Sequence, residues 1–161
     1  MSQDRLRGPV KIQDGARADV THQPISRTLS QELTLQCVDA RGRGVELVAS
    51  FGYDPDDPYA VWITFPSAQG DVRWAMCRAT LLRALTDPAG QGDLEMWPSI
   101  DHEGRAVVVL EFRSPGGQLI AQAHTHEVYR FLTRTLAAVP AGTESDHLDL
   151  DGLVADLLRP A

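Results

Sequence analysis

The sequence predicts an α+β domain rich in antiparallel strands, on the strength of three observations. Several short stretches alternate apolar and polar residues with a period of two, and turns that contain glycine or proline separate them. Two other stretches, which begin near residues 78 and 124, change to the spacing of an amphipathic helix. The chain has 161 residues, which fits one domain with a core that needs no disulfides.

The charge is distributed unevenly along the chain. Residues 1–29 are polar and aperiodic, so we predict a flexible N-terminal extension followed by a single domain over residues 30–161. Residues 31–161 hold ten basic and nineteen acidic groups, a net charge of about −9, which disfavours unassisted phosphate binding. No apolar run is long enough to span a bilayer, and Cys37 and Cys77 lack a CxxC spacing. We therefore expect a cytoplasmic protein without membrane insertion.

The first half of the domain is predicted to contain four strands and a short helix. Alternating stretches at 33–37 and 45–51 form a hairpin, and we interpret Arg41-Gly42-Arg43-Gly44 as its tip rather than as an RNA-binding element. Two further strands, 59–65 and 72–76, flank a tight turn at 67–70. Residues 78–85 then take the helical spacing, and the helix ends at Asp87-Pro88-Ala89-Gly90.

The second half approximately repeats this plan, which brings the predicted strands to seven. Leu94 and Met96 belong to a strand that Pro98 interrupts, residues 106–112 are apolar on both faces like a central strand, and residues 118–123 pair back. The longest helix begins at His124 or Thr125 and ends before Pro140. One stripe of this helix contains the predicted core residues Val128, Phe131, Leu132, Thr135, Leu136 and Val139.

A short amphipathic helix is predicted at the C-terminus. Asp149 or Asp151 can cap its first turn. Its apolar edge needs a partner surface in the same subunit or in a neighbouring one, and consists of Leu153, Val154, Leu157 and Leu158.

A rigid acidic turn separates the second strand from the third. Its sequence is Tyr53-Asp54-Pro55-Asp56-Asp57-Pro58-Tyr59, in which the aspartates can bond their own backbone and the prolines fix φ. Trp62 follows on the strand face opposite Val61 and Ile63, so we interpret it as a candidate residue of a subunit interface.

The stretch from Tyr53 to Val61 resembles the most characteristic segment of the SsgA-like proteins, which regulate sporulation-specific cell division in actinobacteria. The resemblance extends over roughly residues 31–160, with the pattern of the SsgB-type members. Its further landmarks occur in order: Trp74, Gly90-x-Gly92-Asp93, Trp97-Pro98, Ser114-Pro115-x-Gly117, Phe131-Leu132-x-Arg134-Thr135 and Val139-Pro140-x-Gly142-Thr143-Glu144.

The resemblance implies both a fold and a function. The fold is two successive β-sheet-plus-helix units similar to the Whirly proteins, assembled as a homotrimer. The function is that of a non-enzymatic regulator, concentrated at division septa, that recruits or positions FtsZ together with other SsgA-like proteins. Candidate partner-binding residues are Asp54, Asp56, Asp57 and Tyr59, although the turn can equally serve only to fix the start of the strand.

Single-stranded nucleic-acid binding is the alternative function, suggested by the Whirly-like architecture. Other chemistry is not predicted. The sequence contains no phosphate loop, nucleophile elbow or dinucleotide fingerprint, so we predict neither an enzyme nor a cofactor. His124 and His126 are expected on opposite sides of a strand and therefore not as metal ligands. The acidic residues 144–151 lack the spacing of a calcium loop.

Overall fold

A computed structural model of the chain describes residues 27–38 and 41–160. In these residues eight strands and three α-helices follow one another, so the α+β class with antiparallel strands is confirmed. The predicted N-terminal extension lies outside the described residues except for 27–29, where Leu29 begins the first strand. The elements are β1 Leu29–Val38, β2 Gly44–Tyr53, β3 Ala60–Phe65, β4 Val72–Cys77, α1 Arg78–Ala84, β5 Ala89–Gln91, β6 Leu94–Ile100, β7 Ala106–Ser114, β8 Gly117–His124, α2 Thr125–Ala138 and α3 Leu150–Leu157.

The strands form one sheet in the order β4-β3-β2-β1-β8-β7-β6-β5. Each half of the described chain runs through four strands and then a helix, which is the half-repeat predicted from the sequence. The two halves join where β1 pairs with β8 in an antiparallel arrangement, with Cys37 opposite Ala121. The strands of the two predicted β-sheet-plus-helix units therefore form the two halves of one continuous sheet.

The core lies between one face of this sheet and the helices α1 and α2. Alternation places Leu33, Leu35 and Cys37 of β1 on this face, where all three are buried. Phe131 of α2 meets Phe51 of β2 edge to face, with ring centroids 5.7 Å apart. Five of the six predicted stripe residues are buried, namely Val128, Phe131, Leu132, Thr135 and Val139.

Strand β7 has the central position that its composition predicts. Residues 107–112 are all buried, and β6 and β8 pair with its two sides. A strand that is covered on both faces has no polar side to present, which explains its nearly continuous run of β-branched and apolar residues.

The predicted interruption at Pro98 is wrong, because β6 continues through it to Ile100 with Pro98 opposite Val108. The short β5 pairs with β6 only at Leu94–Met96, so the outer side of β6 has no strand partner at Pro98. A proline on such an open edge is tolerated because that edge makes no ladder bonds. β5 itself raises the number of strands from the predicted seven to eight; it begins at Ala89, within the segment where the sequence predicts the first helix to end.

Helix α3 starts where the sequence predicts it. The Asp149 carboxylate accepts a hydrogen bond of 2.8 Å from the Gly152 N–H, so Asp149 is the N-cap. The apolar side chains of α3 and of its C-cap are 52 to 76% exposed, and no surface among the described residues covers them. Of the two predicted locations for the partner surface, the same subunit is therefore excluded within the described residues.

Candidate interaction site at the acidic turn

The acidic turn connects the end of β2 at Tyr53 to the start of β3 at Ala60. The Asp57 N–H donates to the Asp54 carbonyl at 2.9 Å, and the Asp56 N–H donates to the Asp54 carboxylate at 2.9 Å. Pro55 is buried, so the turn is anchored to the body of the protein. Asp54 thus fixes the turn with both its backbone and its side chain, as the structural interpretation of the turn requires.

A recess of about 390 Å³ and a second one of about 290 Å³ lie on the two sides of this turn. The smaller one, which we call the acidic-turn recess, brings together Asp54, Asp57 and Trp62. Tyr59 lines the larger recess instead, beside Cys77 and Gln91. The acidic-turn recess is completed by Thr28, Ser50, Gly52, Tyr53, Thr64 and Arg73.

The predicted candidates therefore do not form one cluster. Asp56 is exposed and lines neither recess, and Tyr59, which is 48% exposed, lines the larger one. Trp62, which the sequence predicts at a subunit interface, borders the same recess as Asp54 and Asp57. Two of the four partner-binding candidates and the interface candidate thus share a surface.

Arg73 is a residue of this recess that the sequence analysis missed. Its guanidinium lies 4.4 Å from the centroid of the Trp62 ring, in a cation–π arrangement. In the β3–β4 hairpin Arg73 is opposite Thr64, so it shares a face with Thr64 and Trp62 and is a diagonal neighbour of Trp62. The alternation within the two strands and the turn at 67–70 are sufficient to predict that Arg73 and Trp62 share a face.

Behind the turn lies a second charged cluster, the Arg78 cluster, which consists of Tyr53, Arg78, Thr135, Val139 and Glu144. Arg78 is 2% exposed, and its guanidinium lies 5.1 Å from the centroid of the Tyr53 ring. It donates to the Thr135 carbonyl at 3.1 Å, to the Val139 carbonyl at 2.7 Å and to the Glu144 carboxylate at 2.8 Å. Arg78, at the start of α1, therefore supplies hydrogen-bond donors to the carbonyl groups at the end of α2.

The electrostatics of this cluster agree with its contacts. The hydrogen bond from Arg78 is the main reason that the pKa of Glu144 lies below its ordinary value of 4.5. Burial is the main reason that the pKa of Tyr53 is raised, and its hydroxyl donates to the Pro58 carbonyl at 2.9 Å. Tyr53 therefore links the acidic turn to the Arg78 cluster as a neutral hydrogen-bond donor.

The remaining predictions concern metal ligands and membranes. Among the described residues no group of three or more histidine, cysteine and acidic side chains is placed to hold a metal ion. The predicted divergence of His124 and His126 is wrong, since their rings stack with centroids 5.7 Å apart. His124 ends β8 and His126 lies in the first turn of α2, so strand alternation does not apply to the pair. The helices described here are all too short or too polar to cross a membrane.

Several known proteins that resemble this chain in sequence or structure are sporulation-specific cell division proteins. The chain is 38% identical over 152 residues to the sporulation-specific cell division protein SsgB of Kineococcus radiotolerans, covering 93% of this chain and 92% of that protein. It is 39% identical over 135 residues to SsgB of Streptomyces coelicolor, an alignment that covers 83% of this chain and 98% of that protein. The crystal structure of an SsgA-like sporulation-specific cell division protein from Thermobifida fusca matches with a TM-score of 0.72 at 34% identity, covering 83% and 97%.

The match at the family level includes the site described above. The family model for the Streptomyces sporulation and cell division protein SsgA matches residues 47–144, from β2 to the carboxylate partner of Arg78. A further solved structure, from work on SsgB mutations that correlate to longitudinal cell division during sporulation of Streptomyces coelicolor, has a TM-score of 0.69 at 40% identity, covering 74% of this chain and 94% of that one. The chain therefore belongs to the SsgA-like family of sporulation-specific cell division proteins, with SsgB-type proteins as its relatives.

Proposed function

We propose that this protein is a non-enzymatic regulator of sporulation-specific cell division that recruits or positions FtsZ at septum sites. Membership of the family supports the role in cell division. The observation that carries the binding part of the proposal is the acidic-turn recess, which is lined by both the exposed Asp57 and Trp62. Tryptophan and charged groups in a preformed recess are the residues from which interaction hot spots are built.

The turn holds Asp57 in place through its backbone, and its carboxylate makes no hydrogen bond within residues 27–38 and 41–160. The Asp57 N–H donates to the Asp54 carbonyl, and the Asp57 carbonyl accepts from the Ala60 N–H at 3.2 Å. A side chain on such a fixed backbone loses little conformational freedom on binding, which favours affinity. We therefore assign Asp57 and Trp62 to the centre of the partner-binding surface, and Asp54 to the support of the turn. Asp56 and Tyr59 flank this surface.

Assembly is the second part of the proposal. We propose a homo-oligomer, a trimer by family resemblance, that acts in the cytoplasm with other SsgA-like proteins and concentrates at division septa. Several copies of the recess on one assembly make the second contact with a polymer effectively intramolecular, so modest individual affinities suffice.

Co-sedimentation with FtsZ polymers from the same organism, with and without nucleotide, tests this function. We expect the protein to pellet only with polymer. Asp57→Asn should reduce the bound fraction several-fold, because it removes the charge that faces the recess. Asp56→Asn is the matched control, with the same chemical change outside the recess, and should bind like the unmodified protein. Protein that stays in the supernatant at high concentration, or equal binding by the two variants, would contradict the proposal.

Nucleic-acid binding is not proposed, and the Whirly-like architecture from which it came stays a prediction. Single-strand binders need a basic groove lined with stacking aromatics, whereas residues 31–161 carry a net charge of about −9. Fluorescence anisotropy with labelled oligonucleotides at low salt is the appropriate check. Micromolar binding that weakens with salt would bring the alternative back.

A further inference from the structure

Helix α3 presents a complete apolar stripe to solvent. Leu150, Leu153, Val154, Leu157 and Leu158 follow the spacing i, i+3, i+4, i+7 and i+8, which places them on one side of the helix. They are 54%, 54%, 52%, 75% and 76% exposed, respectively. Apart from isolated surface residues, a contiguous apolar face of this kind on a soluble domain marks a surface that is covered by something.

The length of α3 points in the same direction. The helix has eight residues, and isolated helices shorter than about 12–15 residues are marginal in water. The cap at Asp149 supports its first turn, but it supplies far less than the packing that stabilises most helices. Helix α3 is therefore a segment whose stability depends on a surface outside the described part of its own chain.

A matching surface exists on the same molecule. It is an apolar groove of about 380 Å³ on the core side of the sheet, and its floor is aromatic. The ring of Phe112 lies 5.3 Å from that of Phe65 and 5.2 Å from that of Trp74. Val72, which is 49% exposed, lies at its rim. The apolar residues of the groove are Leu47, Phe65, Val72, Trp74, Phe112 and Leu119.

The groove and the segment that leads to α3 lie at opposite ends of the β3–β4 hairpin. The groove is at the Val72 end of β4, whereas the segment that leads to α3 is held at the other end, where Glu144 pairs with Arg78 directly after Cys77. The distance from Val72 to Cys77 along β4 is roughly 17 Å at the rise of an extended strand. In one copy of the chain no α3 residue lines the groove, and both surfaces are open.

We infer that α3 of one copy docks into the apolar groove of a second copy, head to tail. A contact between two different surfaces leaves one of each open at the ends, so it closes into a ring when the rotation allows. The groove suits this occupant because its polar lining residues are uncharged, namely Ser114, Gly116, Gly117 and Gln118. The acidic positions of α3, Asp151 and Asp156, therefore meet no like charge in the groove lining. The inference deepens the homo-oligomer of the proposed function and does not depend on FtsZ.

Sedimentation velocity on the purified chain, without any partner, tests the inference. We expect an oligomer for the unmodified protein, and only monomer for Leu157→Asp, which places a charge on the stripe, and for Val72→Asp, which places one at the groove rim. Both positions are exposed, so both variants should keep the far-ultraviolet circular dichroism of the folded protein. Ile100→Asp is the matched control: Ile100 is 69% exposed outside both surfaces, and the oligomer should persist.

Mixing the two monomeric variants distinguishes this contact from others. Val72→Asp keeps an intact helix and Leu157→Asp keeps an intact groove, so their mixture should form a species of two chains and stop there. A mixture that stays monomeric, or an oligomer that survives both substitutions, would overturn the inference. Dissociation by Trp62→Ala with no effect of Leu157→Asp would instead assign the interface to the Trp62 face. An oligomer of the unmodified chain that depends on residues 1–26 rather than on α3 would identify those residues as the occupant and also overturn it.

The sedimentation experiment and the FtsZ experiment can contradict their two proposals independently of each other. A chain that assembles through α3 but does not pellet with polymers would leave the inference intact and remove the proposed partner. A monomeric chain that still pellets would do the reverse.

Discussion

The Arg78 cluster and the acidic-turn recess are neighbouring charged regions of this protein. The charges of the first are buried and paired within the chain, whereas those of the second are exposed. In the Arg78 cluster the guanidinium is 2% exposed and is fully engaged by two carbonyls and the Glu144 carboxylate. In the acidic-turn recess Arg73 is exposed and stacks on Trp62, and Asp57 is exposed as well. Tyr53 belongs to both, since its ring contacts the Arg78 guanidinium and it also lines the recess. A buried charge requires partners within the chain, whereas an exposed charge stays available to another molecule.

The largest effect should follow from removal of the buried cation. Arg78→Met keeps much of the side-chain volume, but it removes the cationic partner of Glu144 and the guanidinium donor of the Val139 carbonyl, and it leaves the Thr135 carbonyl with only the Val139 N–H. Removing one member of a buried pair typically costs about 3 kcal/mol or more, so we expect a loss of about 3 kcal/mol in the free energy of unfolding in urea. Arg73→Met is the matched control at an exposed site, with an expected change of at most about 1 kcal/mol, the contribution of an exposed cation–π contact. Similar losses in the two variants would contradict the distinction between the clusters.

A smaller effect, and one that depends on pH, should follow from Glu144→Gln. Because the pKa of Glu144 is lowered in the folded protein, its carboxylate stabilises the fold at pH values above the unfolded value of about 4.5. This contribution is lost as the pH falls through the folded pKa. The unmodified protein should therefore be more stable than Glu144→Gln at pH 7, and the difference should close below about pH 4.5.

Urea unfolding of both proteins between pH 7 and pH 3 measures that difference. The pKa of Asp101 is also lowered, chiefly by the backbone N–H of Arg105, so both proteins lose some stability in acid. That loss cancels in the comparison because Asp101 is present in both. A stability difference that stays constant over the pH range would show that Glu144 acts through its shape rather than through its charge.

The difference between the clusters also explains which residues the sequence predicted. Trp62, Asp54 and Asp57 lie close together because they are placed by one turn and one strand, and period-two alternation is sufficient to identify that face. Arg73 was accessible by the same rule through the β3–β4 hairpin. The Arg78 cluster could not be predicted by this rule. It joins α1 to the end of α2 and to Glu144, which are more than fifty residues away along the chain. Only the order of strands in the sheet brings those segments together.

The fold shows the same limit. Alternation predicted the long strands and the helical stripe of α2, because each of these patterns is repeated over many residues. The three-residue strand β5 has no room for a pattern, and the continuation of β6 through Pro98 depends on an edge left open by β5. Likewise, the sequence showed that α3 needs a partner surface but could not show where the groove is. The groove consists of residues from five different strands and the β7–β8 turn.

The smallest expected effect concerns the contact between Arg73 and Trp62. A double-mutant cycle with Arg73→Met and Trp62→Leu measures their coupling in the free energy of unfolding. At an exposed site a cation–π contact contributes about 0.5–1 kcal/mol, so we expect a coupling of that size. A weak coupling means that Arg73 can leave the indole when a partner binds, as a binding surface requires. A coupling of about 3 kcal/mol, as large as the effect expected at Arg78, would identify the recess as a structural cluster, and the assignment of Trp62 to partner binding would then fail.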